Sequence, residues 1–156
     1  MTDSQPAVAK FPILKSSDIS SLPVHGEDRE LFDRLLNDFV PPDAFDAHAH
    51  LYDLRHLAPD AEQKDFAGLP EIGLDRLVDK MSQWMGDRVV KDGLYFPFPM
   101  KHVDCRAANR FLAEALKKHP GSRGLMLVRP QDDPAEIEQE FREGGFAGFK
   151  VYHVFA

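Results

Sequence analysis

The sequence is poor in cysteine and has no long apolar run. Its 156 residues include one cysteine, Cys105, so no disulfide can form within the chain, as is usual in a reducing compartment. No apolar stretch reaches the roughly 18 residues of a membrane-spanning helix. The first residues also lack the basic, apolar and small-residue segments of a secretory signal. Together these absences predict a cytoplasmic protein.

Basic residues are the minority among the charged residues. The chain has 19 Lys and Arg against 26 Asp and Glu, which gives a formal net charge of −7. Surfaces that bind nucleic acid or anionic membranes need clustered Lys and Arg to neutralise phosphates. We therefore expect no nucleic-acid partner and no membrane partner. Internal repeats and glycine-rich phosphate loops are also absent, so no motif favours a nucleotide-binding sheet.

Apolar patterns predict strands that alternate with helices. Residues 1–26 are polar and predict a flexible N-terminal arm, whereas residues 27–156 predict one domain. The predicted strands are "AFDAHAHL" (44–51), "GLYFPFPM" (93–100), "GLMLVRP" (124–130) and "FAGFKVYHVFA" (146–156). Parallel strands must be joined by crossovers, and the intervening helical patterns supply them, so the sequence predicts an α/β fold. Two architectures fit this order, an open doubly wound sheet and part of a (β/α)8 barrel.

Local signals mark the ends of several predicted helices. Before the first strand, an apolar stripe at helical spacing predicts a short helix; it consists of Leu31, Phe32, Leu35, Leu36 and Phe39. Before the fourth strand, Asp133 occupies a helix N-cap position, Pro134 the first helical position and Gly144-Gly145 the stop. A long polar segment from Tyr52 to about Ile72 follows the first strand and predicts a lid or specificity loop.

Two histidines lie one residue apart in "FDAHAHLYD" (45–53). Side chains two residues apart on a strand share one face, so Asp46, His48 and His50 are expected on the same face. The spacing of about 6.6 Å lets two imidazoles reach one ion at about 2.0–2.1 Å. An isolated His-x-His pair is more often a surface or core feature than a ligand pair. Its place at a strand end before a long loop favours the metal site.

The motif resembles the opening of the amidohydrolase superfamily, whose members are metal-dependent (β/α)8 barrels with a His-x-His pair on the first strand. "GFKVYH" (148–153) strengthens the resemblance. In many members a lysine near the end of the fourth strand, often carboxylated, bridges two metal ions, and Lys150 falls on the fourth predicted strand. The resemblance spans about residues 27–156. It implies the N-terminal half of a TIM barrel, with four parallel strands and intervening helices.

The resemblance also implies a role for each candidate site residue. His48, His50 and the carbamate of Lys150 would bind one or two divalent ions, with Zn²⁺ favoured by the ligand types. Asp46 would accept a ring N–H from a ligand histidine or fill a polar layer. Tyr152 and His102 would contact a small-molecule substrate. The alternatives are a solvated lysine, an aromatic plug and an exposed loop histidine; His153 is a weaker ligand candidate.

The predicted strands number half of those in a complete barrel, which typically needs about 250 residues. The sequence therefore predicts a fragment, truncated after the fourth strand, that is inactive alone and can self-associate through exposed half-barrel edges. The implied function is a metal-dependent hydrolase that uses a metal-activated water on an amide, ester or lactone-like bond. The alternatives are a metal-dependent decarboxylase of the same superfamily and a non-enzymatic open α/β ligand-binding domain.

Overall fold

The computed structural model describes residues 24–58 and 69–152. The elements in chain order are α1 (Gly26–Leu35), β1 (Phe45–Asp53), β2 (Glu71–Ile72), α2 (Leu74–Met85), β3 (Asp92–Pro97), α3 (Cys105–Leu116), β4 (Arg123–Leu127), α4 (Pro134–Gly144) and β5 (Gly148–Lys150). Short 3-10 turns follow β1 at Leu54–His56 and α2 at Gly86–Arg88. The predicted α/β fold is confirmed.

The sheet has five strands in the order β2-β1-β3-β4-β5. Strands β1, β3, β4 and β5 pair in parallel, whereas the two-residue β2 pairs antiparallel with β1. The parallel strands thus lie side by side in chain order, without the reversal that divides a doubly wound sheet. Strand β2, within the predicted loop, has no counterpart among the four predicted strands.

One face of the sheet is covered by a layer of helices. Helix α3 contacts β1, β3 and β4, and it also touches α2 on one side and α4 on the other. Residues from both layers form the main apolar core, which consists of Leu51, Leu74, Tyr95, Leu112, Met126 and Phe146. Since successive strand residues point to opposite faces, Phe96 next to Tyr95 lies on the face away from these helices.

The predicted helix boundaries agree with the structure best at α4. The Asp133 side chain accepts the N–H of Ala135, Pro134 begins the helix, and Gly145 follows it with a positive φ of 64°. The observed first helix is shorter than predicted, because α1 ends at Leu35 whereas the predicted apolar stripe continues to Phe39. Of that stripe only Phe32 is buried, in a cluster with Met85 and Val89.

Several predictions fall on residues outside the described ranges. They include nearly all of the predicted arm, the middle of the predicted loop (59–68) and His153. Within the described residues, none of the helices has both the length and the apolar character needed to cross a membrane.

Candidate metal centre

The rings of His48 and His50 lie together on the sheet face opposite the helices. Their centroids are 5.4 Å apart, and both rings meet the edge or face of Phe96, at 4.7 Å from His48 and 4.6 Å from His50. This contact follows from the register, since His50 is the β1 partner of Phe96 in β3. The structure therefore brings the two predicted ligands side by side on one aromatic platform.

Lys150, on the edge strand β5, contacts the same Phe96 ring. Its Nζ atom lies 4.4 Å from the centroid of the Phe96 ring and 5.3 Å from that of Tyr152. Both distances suit a cation–π contact. Residues from β1 and β5, which are not neighbours in the sheet, thus contact one β3 side chain. Three of the predicted site residues touch it, His48, His50 and Lys150, and Tyr152 lies next to Lys150.

The His50 ring is held through its Nδ1 atom, which lies 3.4 Å from the carbonyl oxygen of Pro97. A carbonyl can only accept, so this bond assigns the proton to Nδ1 and leaves the lone pair on Nε2. Burial, together with the nearby charges of His48 and Lys150, lowers the pKa of His50 below its ordinary value of 6.5, against the raising effect of the Pro97 bond. A neutral ring with a free Nε2 is the form that binds a metal.

Asp46 does not bond to a histidine ring among the described residues. Its Oδ1 atom accepts the backbone N–H of His48 at 2.9 Å, and the β1–β3 register shifts between Asp46 and Ala49. The carboxylate therefore closes a local turn-like bond at an irregular point in the strand. Its position orients the backbone that carries His48.

His102 lies apart from this group, after the end of β3. It is exposed, and it lines a cavity of about 500 Å³ together with side chains from the loops that follow β1 and β4. No contact joins it to His48, His50 or Lys150 in the described residues. Of the predicted substrate residues, Tyr152 therefore lies beside Lys150 and packs against the cluster of Val103, Cys105, Ala108 and Leu127, whereas His102 lines this cavity.

The donor set fits part of a zinc site. Two imidazoles on one strand supply two nitrogen ligands, whereas a catalytic zinc site typically has three protein ligands. The described residues contain no cluster of three or more His, Cys, Asp and Glu side chains placed for a metal. The remaining candidate is Lys150, which can ligate only as a carbamate because an ammonium has no lone pair.

The sequence did not reveal the aromatic half of this site. Phe96, which is 1% exposed, contacts His48, His50 and Lys150, and the centroid of the Phe98 ring lies 4.9 Å from that of the His50 ring. The alternation of Leu94, Phe96 and Phe98 in "GLYFPF" was the available signal, since it marks one face of the strand. Which neighbouring residues that face meets depends on register, which the strand itself does not encode.

No protein-family model matches the chain, no curated protein is significantly similar to it, and no solved structure matches it. The sequence resemblance to the amidohydrolase superfamily therefore has no support from these comparisons. The functional interpretation rests on the geometry of the described residues.

Proposed function

We propose that His48, His50 and the carbamate of Lys150 bind a divalent metal ion, most suitably Zn²⁺, in a metal-dependent hydrolase site. The observation that carries the proposal is the meeting of these three side chains around Phe96. Three ligand candidates, which come from two separate motifs on strands about 100 residues apart in sequence, contact this one ring.

We propose further that the four parallel strands are half of a (β/α)8 barrel. Two features support this architecture over a doubly wound sheet. The strands follow chain order across the sheet, and α2, α3 and α4 contact one another in the same order, as a single layer. The ligand-bearing face is then the inner face of the barrel, and the helices form its outer layer.

Each residue has a definite task in such a site. His50, fixed by Pro97 and kept neutral by burial, offers Nε2, and His48 offers a second nitrogen beside it. Tyr152, beside Lys150, is placed to contact substrate. A bound ion would supply the positive charge that polarises a scissile carbonyl and acidifies water.

Metal content tests the site. Protein equilibrated with Zn²⁺ and then desalted should retain about one or two equivalents per chain by elemental analysis. The double variant His48→Ala/His50→Ala should lose this metal, whereas the matched double variant His102→Ala/His119→Ala should keep it. Equal metal content in the two double variants would contradict the assignment.

An open coordination position separates a hydrolytic site from a structural one. Acetohydroxamate, which chelates an accessible zinc through two oxygens, should bind to the zinc-loaded protein and fail to bind to the zinc-free protein. Calorimetry measures both. Zinc retention without hydroxamate binding would mean a closed, structural site and would contradict the hydrolase proposal while leaving the ligand assignment intact.

A further inference from the structure

The cavity beside His102 lies at the carboxyl end of the sheet and is distinct from the Phe96 platform. Its volume is about 500 Å³, within the range of small-molecule sites. The loops after β1, β3 and β4 contribute its walls, together with the first turn of α3. The lining side chains that matter for its chemistry are Arg55, His56, Lys101, His102, Asp104 and Arg129.

The loops after β1 and β3 are joined to each other by backbone hydrogen bonds. Leu57 and Val103 form an isolated antiparallel bridge. The N–H of Ala58 donates to the carbonyl of His102 at 3.0 Å, and the N–H of Asp104 donates to the carbonyl of His56 at 2.7 Å. The backbone that carries the cavity's side chains is therefore fixed by more than the chain connection, and the cavity is largely preformed.

Both arginines are held in place by carboxylates. Asp53, whose side chain is 3% exposed, accepts hydrogen bonds from Nε and Nη2 of Arg55. Asp132 accepts a hydrogen bond from Nε of Arg129 at 3.0 Å, and its Oδ1 forms an ion pair with Nη2 at 2.9 Å. In the described part of the chain, Nη1 of each guanidinium has no protein partner, so donors remain for a ligand.

Cationic side chains line the cavity, and the two arginines among them are ion-paired. Three permanent cations line it, Arg55, Lys101 and Arg129, with one carboxylate among the described lining residues, Asp104. That carboxylate is already engaged, since its Oδ1 accepts the N–H of Ala107 and caps α3. Arg55 pairs with Asp53 and Glu71, and Arg129 pairs with Asp132, so Lys101 is the permanent cation of the lining that has no ion pair in the described residues. The cavity therefore offers an oxyanion this ammonium together with the free Nη1 donors of two oriented guanidinium groups.

An unsatisfied polar atom lies in the same wall. Nδ1 of His56 is buried and has no hydrogen-bond partner in the described residues. Because the atom is fully buried, it faces the protein interior and is not one of the groups that the open cavity offers to a ligand.

We propose that this cavity binds the phosphate or carboxylate group of a small molecule, with Lys101, His102 and the free Nη1 groups of Arg55 and Arg129 as donors. This inference does not depend on the metal site. It assigns His102 a role separate from the metal centre, as part of an anion-binding site.

Calorimetric titration of the full chain with inorganic phosphate and with succinate, at constant ionic strength, tests the proposal. Phosphate should bind with a Kd of about 1 mM. The charge reversal Lys101→Glu should weaken binding about tenfold, with Lys101→Gln in between, because a charge-assisted donor is lost. Lys91→Glu, the same reversal on an exposed residue outside the cavity, should change the Kd by about twofold or less.

The outcomes separate the ligand sources and the alternatives. Binding of phosphate alone would identify a phosphate site, and binding of both anions would identify a general oxyanion site; either supports the proposal. His48→Ala/His50→Ala should bind phosphate as the wild type does. Equal weakening by the Lys91 and Lys101 reversals, or no binding of either anion at about 50 mM, would overturn the proposal.

Discussion

The ammonium of Lys150, on β5, lies 4.4 Å from the centre of the Phe96 ring, on β3, although β4 separates these two strands in the sheet. Phe96→Leu should remove this cation–π contact and part of a fully buried ring, and so lower the free energy of unfolding by about 1–3 kcal/mol. Urea denaturation measures the loss. Phe39→Leu is the matched control, since Phe39 is 80% exposed, and it should change stability by about 0.5 kcal/mol or less. Equal effects of the two variants would contradict the packing described.

His50 should titrate below its ordinary pKa of 6.5, because burial and the charges of His48 and Lys150 disfavour its protonated form. Between the folded pKa and about 6.5, the His50 ring is therefore protonated in the unfolded chain and neutral in the folded chain. His50 therefore lowers stability as pH falls from about 6.5 to the folded pKa, and below that pKa the penalty is constant. An NMR pH titration of the ring measures the shift.

Lys150→Met should raise the pKa of His50 toward 6.5, because one repelling charge is removed. Lys91→Met, which removes a charge from an exposed residue, should leave it in place. A His50 pKa that responds equally to both substitutions would show that Lys150 does not face the ring.

Asn109 joins helix α3 to the end of β4. Its Nδ2 donates to the carbonyl of Leu127 at 2.9 Å and its Oδ1 accepts the N–H of Leu127 at 2.8 Å. The β3–β4 pairing extends only to Tyr95 and Gly124, so the amide satisfies backbone groups beyond the last paired residues. Asn109→Ala should leave two buried groups unpaired and lower the free energy of unfolding by about 2–4 kcal/mol.

Asn109→Asp separates the two bonds. A carboxylate can accept the N–H of Leu127 but cannot donate to its carbonyl, so this variant should also be destabilised. Asn37→Ala, in the turn after α1, should cost about 0.5 kcal/mol or less. Chemical denaturation compares the three variants, and an Asn109→Ala loss no larger than that of Asn37→Ala would contradict the bridging role.

Local chemistry made parts of the fold predictable. The start of α4 at Asp133 and Pro134 and its end at Gly145 follow from capping and from the left-handed conformation that glycine accepts. Alternation on β1 likewise predicted that His48 and His50 would lie together. These features depend on residues within a few positions of one another, so a single sequence contains the information.

Features that depend on distant residues were not predictable. The pairing of His50 with Phe96 is a matter of register between strands far apart in sequence. Leu35 and Phe39 are 59% and 80% exposed. They are exposed because α1 packs on α2 through Phe32, whose ring contacts Trp84 of α2. The cavity near His102 was also not predictable, because it forms where the loops after β1, β3 and β4 meet.

The central claim is that His48 and His50 bind one ion, His50 through its Nε2 atom, and nitrogen NMR of the histidine rings during a Zn²⁺ titration tests it most directly. We expect the Nε2 resonance of His50 and one ring-nitrogen resonance of His48 to shift together in one step, while Nδ1 of His50 stays protonated on the Pro97 carbonyl. Zinc-induced shifts at other histidines, with His48 and His50 unchanged, would contradict the claim.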